Sequence, residues 1–211
     1  VFVAFIPTNR LGLQVFDDWD GFGQQLTASG STTFTEVAVE THEVVELVRE
    51  KQQYVPVRQL FLQAVAAGIV ESIVKDSIAL VKNRQRTFTH GAAEHASIDP
   101  LLLQTIGELQ ATNFTVKTAL AQAATALDKA IAHRGTAEFA QYQHEAALQA
   151  AYLKIIAEKI SLEAATKLFD VGGASATRRG AQLDRHWRNL RTIASHNPSS
   201  YKAKDIGHYL V

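Results

Sequence analysis

The sequence has no cysteine among its 211 residues. That removes disulfides, thiolate metal sites and a cysteine nucleophile together, and it fits an intracellular setting, here expected to be the cytoplasm. There is no run of about 18 apolar residues, so no transmembrane helix is expected. The opening residues are too few and lack the basic leader of a signal peptide. There is no excess of charge either: 21 Lys and Arg balance 21 Asp and Glu. This argues against nucleic acid or an anionic membrane as the main partner. Methionine is absent, and Val1 reads as mid-strand, so a portion of a longer protein is expected. Several motifs are missing as well. There is no Walker loop, no GxGxxG and no GxSxG elbow, and the histidines show neither HExxH nor HxH spacing, so no metal is expected.

What is present allows a real core, since 46% of the residues are hydrophobic. Residues 1–40 read as β. Strands are expected over 1–6, 11–19 and 31–40, with Leu11, Leu13 and Val15, then Phe34, Val37 and Val39, alternating against polar residues. Three strands are too few for an independently stable sheet, so further strands are expected upstream of Val1. From Thr41 the period becomes helical, with a short capped helix expected over 41–48. Pro56 suits a helix start, and Leu60, Ala64, Ala67, Val70, Ile73, Val74 and Ile78 continue it to about Val81 at three- and four-residue spacing. Asp99-Pro100 opens the next helix, to about Ala132. A third runs from Thr136 to about Phe169 and ends at Gly172-Gly173, as helices do at glycine. A shorter one is expected over 177–194, closed by Pro198. The fold class is mainly α: an antiparallel four-helix bundle over 43–211, preceded by part of a β domain over 1–42. Its small-residue apolar faces exceed what one bundle needs, which favours oligomerisation.

The chemistry-bearing residues gather near the end of the chain. Arg178, Arg179, Arg185, Arg188 and Arg191 follow one another with Asp184 as the only acid between them, a local anion site on a neutral protein. Gly172-Gly173-Ala174-Ser175 is either a plain helix stop or a backbone nest that bares N–H groups to a ligand. Arg84 and Arg86 either cap a helix C-terminus or form a fork for phosphate. His196, in Ser195-His196-Asn197-Pro198, is either a cap or a catalytic group. Ser195 and His196 point apart on a helix and make no triad. These residues by themselves do not name a reaction.

Taken together, the motifs resemble the acyl-CoA dehydrogenase superfamily. Residues 21–40 (GFGQQLTASGSTTFTEVAVE) are similar to the end of that family's middle β domain. The helix ending at Arg84, with Gly68 sixteen residues before it, resembles the first long helix of the C-terminal domain. VGGASA resembles the family's Gly-Gly loop, and HWRNLR stands where the family has Arg-Asp-Ala-Arg. A dehydrogenase of this family draws its glutamate base from one of two places, after that last segment or at the start of the first long helix. Here the two read TIASHNPSSYK and QQYVPVRQLFLQAVAAG, with no acid in either.

DRHWRNLRTIASHNPSSYK instead resembles the family's flavin-dependent monooxygenase branch, of the dibenzothiophene monooxygenase and sulfur-acquisition type. The resemblance implies a two-component enzyme that takes reduced FMN from a separate flavin reductase and oxygenates a small organosulfur or similar substrate. It implies that His196 lies at the flavin and serves oxygen activation, a role histidine suits near neutral pH. It implies that Arg84 or Arg86 holds the flavin phosphate in a neighbouring subunit's site, and that Gly172, Gly173 and Ser175 form the loop at the cofactor. A homotetramer is expected, and Arg188 is expected to brace the bundle through Asp184 or Glu163. The branch's second histidine, three residues before His196, is Ile193 here. The alternatives are an FAD-dependent acyl-CoA dehydrogenase with its base supplied elsewhere, and a non-catalytic helical oligomerisation module.

Overall fold

The computed structural model describes residues 2–46, 56–84, 87 and 91–211. The chain forms two units, Val1–Tyr54 and Val55–Val211. In the first, β1 (Phe2–Ala4) pairs antiparallel with β4 (Val44–Glu46), placing Val3 opposite Val45. β2 (Leu13–Val15) pairs antiparallel with β3 (Thr32–Phe34), placing Gln14 opposite Thr33. Gly12 enters β2 at φ +86, and a Cβ there would stand 2.1 Å from the Thr35 carbonyl oxygen, so only glycine fits. Among the described residues, no hydrophobic side chain of this unit is buried. Phe2, Phe5 and Phe34 lie open on ribbons of two strands, which are marginal by themselves.

The helix expected over 41–48 is not formed. Residues Thr41–Glu43 make one 3-10 turn, and the chain then extends into β4. The Glu43 carboxylate accepts from the Glu40 N–H at 2.8 Å and pairs with Arg10, and its carbonyl accepts from the Phe5 N–H at 2.9 Å. The Glu43 side chain therefore closes a single turn. Val44 and Val45, β-branched and poor helix formers, take the strand beside β1. Residues 47 and 48 lie outside the described residues.

The second unit is helical: α1 (Val57–Asn83), α2 (Pro100–Ala132), α3 (Phe139–Gly172), α4 (Asp184–Ser195) and α5 (Ser199–Leu210). Cross-helix pairs fix the directions. Lys117 on α2 meets Glu71 on α1, and Lys167 on α3 meets Glu108 on α2. Asp76 on α1 meets Arg185 on α4, while Gln59 near the start of α1 meets Asn197 just past the end of α4. The first four helices thus run up, down, up and down, an antiparallel bundle. Its apolar interior has two parts. Ile73, Val81, Leu168, Val171, Leu183 and Leu190 fill one end. Leu60, Val116, Leu127, Phe139 and Leu153 fill the other. Each fully buried aliphatic side chain of this size contributes about 1.5–3 kcal/mol. No helix among the described residues is long and apolar enough to cross a membrane.

The helix ends follow local chemistry. An Asp99 carboxylate oxygen accepts from the N–H of Leu101 (2.9 Å) and Leu102 (3.4 Å), and Pro100 takes the first helical position, where no N–H is needed. Gly173 ends α3 at φ 59, ψ −155, a conformation reserved to glycine, and its N–H returns to the Phe169 carbonyl. After that point one expectation fails and one helix appears that was not expected. The helix expected over 177–194 begins only at Asp184, because Gly173–Thr177 and Arg179–Ala181 form separate 3-10 turns and Gln182 is left-handed at φ 49. The end of that helix is as expected, α4 stopping at Ser195 ahead of Pro198, but Pro198, with φ −66, also precedes a further helix, α5, which lies along α3 with the Tyr209 ring 4.7 Å from that of His144.

Candidate functional site

The candidate residues separate to the two ends of α1. At its C-terminal end, Arg84 is the residue that closes the helix, its own N–H returning to Val81. Its Nη1 donates to the Val171 carbonyl at 3.2 Å, so the guanidinium joins the ends of α1 and α3. Both are helix C-termini, where carbonyl oxygens face outward and a fixed positive charge is favourable. Arg84, Gly172 and Ser175 line one open concavity of about 650 Å³, together with Asp76, Asn83 and Thr87. Gly173 stands next to that wall without being part of it. Gly172 is required by packing, since a Cβ there would lie 2.4 Å from the Ala176 Cβ and 3.3 Å from Leu80 Cδ1. The Gly-Gly pair is therefore a helix stop and a concavity wall at once. Arg86 lies outside the described residues.

Asp76 links this concavity to α4. One carboxylate oxygen receives Arg185 Nη2 at 2.6 Å and lies 2.7 Å from His186 Nε2. His186 is buried. Burial is the largest influence on its titration and pushes it below the ordinary histidine value, with the Arg185 charge adding to that and the bond to Asp76 opposing it. The ring is thus held neutral, its Nε2–H donating to Asp76, while Arg185 supplies the countercharge. Neither Asp76 nor this use of His186 was legible in the sequence: the two stand 110 positions apart, and no motif marks them. Arg188 Nε donates to Asp184 Oδ2 at 2.9 Å one turn back on the same helix, so of the two acids expected for it the partner is Asp184, and that pair lies within α4 rather than across the bundle.

At the other end of α1 stands His196. It is the closing residue of α4, exposed, with its N–H on the Ile193 carbonyl. Its Nδ1 is 3.4 Å from Asn197 Nδ2, which also donates to Gln59 Oε1 at 3.4 Å. Gln59 and Arg84 are separated by 25 positions on α1 (84 − 59), about 37 Å at an α-helical rise of ~1.5 Å per residue. A flavin mononucleotide cannot reach from His196 to Arg84 within one copy of the chain. The contact between Asn197 and Gln59 joins the end of α4 to the start of α1. The first turn of α1 holds no acid, and α4 has none after Asp184. Among the described residues, no group of three or more His, Cys, Asp or Glu is placed to hold a metal ion.

Residues 60–201 match the family model "Acyl-CoA dehydrogenase, C-terminal domain". The chain is 32% identical over 212 residues to the Pseudomonas putida protein named "Probable FMNH2-dependent monooxygenase SfnC", covering 98% of this chain and 53% of that protein. It is 32% identical over 225 residues to dibenzothiophene monooxygenase of Mycolicibacterium goodii, covering 100% of this chain and 53% of that one. It superposes with a TM-score of 0.90, at 28% identity, on TdsC of Paenibacillus sp. A11-2 solved with FMN and indole, covering all of this chain and 56% of TdsC. The chain spans about half the length of the curated relatives it matches.

Proposed function

The chain belongs to the acyl-CoA dehydrogenase family through its C-terminal domain, and from that membership we propose that it is the C-terminal portion of a two-component, FMN-dependent monooxygenase acting on a small organosulfur compound. One observation carries this reading. The two places from which a dehydrogenase of this fold draws its carboxylate base, the end of α4 and the start of α1, meet at the Asn197–Gln59 contact. Around that contact stand His196, Asn197 and Gln59, and the described residues of the first turn of α1 and of α4 after Asp184 include no acid. Among the described residues, proton abstraction α to a thioester has no carboxylate base there. A histidine ring, with one nitrogen to accept and one to donate, is what the spot offers instead. One relative named as a probable FMNH2-dependent monooxygenase and another named dibenzothiophene monooxygenase support the same choice.

The residues at the far end of α1 fit the phosphate of FMN. The Arg84 guanidinium gives a charge that pairs with phosphate, Ser175 a hydroxyl donor, and the turn at Gly172 open backbone. Reduced FMN, when bound, supplies the electrons for oxygen activation. The part of this chain is to hold its phosphate at Arg84 and to present the His196 ring beside the reacting atoms. The length of α1 between Gln59, beside His196's neighbour Asn197, and Arg84 supports a site shared between copies, with Arg84 of one serving the flavin beside His196 of another. A homotetramer, a separate flavin reductase and a cytoplasmic setting belong to the same reading, as does the assignment of residues 1–42 to the end of a middle β domain.

The test is anaerobic titration of the full chain with reduced FMN, followed by oxygen and an organosulfur substrate. Oxygenated sulfur product is expected. Reduction of bound flavin by an acyl-CoA, without any oxygenated product, would overturn the proposal. His196→Ala should lower oxygenation by about 100-fold or more, the scale of lost acid–base participation, with FMN affinity unchanged. Equal turnover would remove His196 from the reaction.

A further inference from the structure

We propose that Gln59 and Asn197 are positioning residues that fix the tautomer of the His196 ring, so that its Nε2 carries the proton. This rests on the reading of His196 as the group at the flavin. Asn197 is held on both sides, by the last turn of α4 before it and by Pro198, with its fixed φ, after it. Gln59 sits in the first turn of α1. The Asn197 amide nitrogen carries two hydrogens, and two acceptors stand at 3.4 Å from it: Gln59 Oε1 and His196 Nδ1. For His196 to accept, Nδ1 must be the nitrogen without a proton. The proton then belongs to Nε2, which becomes the donor the exposed ring presents.

The reverse amide orientation has its own signature. It would set the Asn197 oxygen between a Gln59 nitrogen and a protonated Nδ1, leaving Nε2 an acceptor. The two arrangements give His196 opposite abilities, and the amide pair decides between them. A second observation marks the place. Asn197 Oδ1 and Gln59 Nε2, one acceptor and one donor, are buried with no partner among the described residues. Buried groups left unpaired are uncommon and gather where a protein binds or reacts.

Nitrogen-15 spectra of the full chain labelled at histidine, with the His196 resonances identified through His196→Gln, test this directly. In the neutral ring the wild type is expected to hold its proton on Nε2. Asn197→Asp, whose carboxylate can only accept, should move it to Nδ1 and lower the oxygenation kcat by about tenfold, with KM for reduced FMN within about twofold. Gln59→Glu keeps an acceptor toward Asn197 and should leave the wild-type tautomer in place. A proton on Nδ1 in the wild type, or a tautomer indifferent to Asn197→Asp, would overturn the proposal. So would loss of the Nε2 proton in Gln59→Glu. The tautomer is read without turnover. If His196→Gln retains full activity, the catalytic reading falls while the spectra still decide whether the amide pair sets the ring.

Discussion

His186 is buried against Asp76, and the sign of its effect on stability follows from the direction of its titration. Its pKa lies below the ordinary histidine value, burial being the main cause. Between the folded and unfolded values the unfolded chain binds more protons, so stability rises with pH there. The contribution is complete above the unfolded value of about 6.5 and is lost as pH falls from there through the folded value. The melting temperature of the wild type should therefore fall as pH drops below about 6.5. His186→Gln keeps an N–H donor toward Asp76 and should flatten that slope; an unchanged slope would assign the dependence to another group. Arg84 makes a different prediction. Its guanidinium is both a tie to Val171 and the charge proposed for the flavin phosphate. Arg84→Gln should weaken FMN binding by about tenfold or more, roughly 1.4 kcal/mol, as measured by fluorescence quenching of the flavin. Binding that stays as tight would leave Arg84 only its role as a helix tie.

Within the helices, one buried charge pair stands out. Lys154 on α3 is 0% exposed and pairs with Glu158 one turn along. Burying such a pair gains little over an apolar side chain of like volume, but breaking it strands a charge. Glu158→Leu alone should cost about 3–5 kcal/mol of stability, whereas the double variant Lys154→Met with Glu158→Leu, which removes both charges, should be neutral or stabilising. Denaturant unfolding of both variants checks the asymmetry, and equal losses would contradict it. The same elements decide how much was legible in advance. The start of α2 was, because Asp99-Pro100 acts through atoms within three residues of one another. So was the end of α3, where Gly173 carries the positive φ on its own. The turn at Thr41–Glu43 was not, because what decides it lies far away: Arg10 on Glu43, and β1 alongside Val44 and Val45. Nor was α5. It buries no residue, and Pro198 taken alone marks the start of a helix as readily as the end of one. Ile193 marks a related limit. It is 6% exposed, part of the bundle interior, so a side chain at that position faces the core while His196 three residues later is exposed.

Over the whole molecule, the candidate site was legible as a set of residues but not as a place. Nothing in the sequence says that His196 stands by Gln59 while Arg84 stands by Val171, at opposite ends of α1. That placement follows from the bundle running up, down, up and down, which brings the end of α4 back to the start of α1. It has a consequence for any assembly of identical copies. If one flavin needs both groups, each site takes His196 from one copy and Arg84 from another, as symmetric oligomers allow. His196→Ala and Arg84→Gln proteins should then each oxygenate poorly alone. Mixed by co-expression in equal amounts, they should recover activity, because about a quarter of the sites draw both groups from the copies that still carry them. A site built within one copy would recover none, since every copy in the mixture lacks one group. Turnover of the mixture at the mean of the two separate variants would therefore refute the shared site, and recovery near one quarter of wild type would establish that Arg84 and His196 serve the same flavin from different copies.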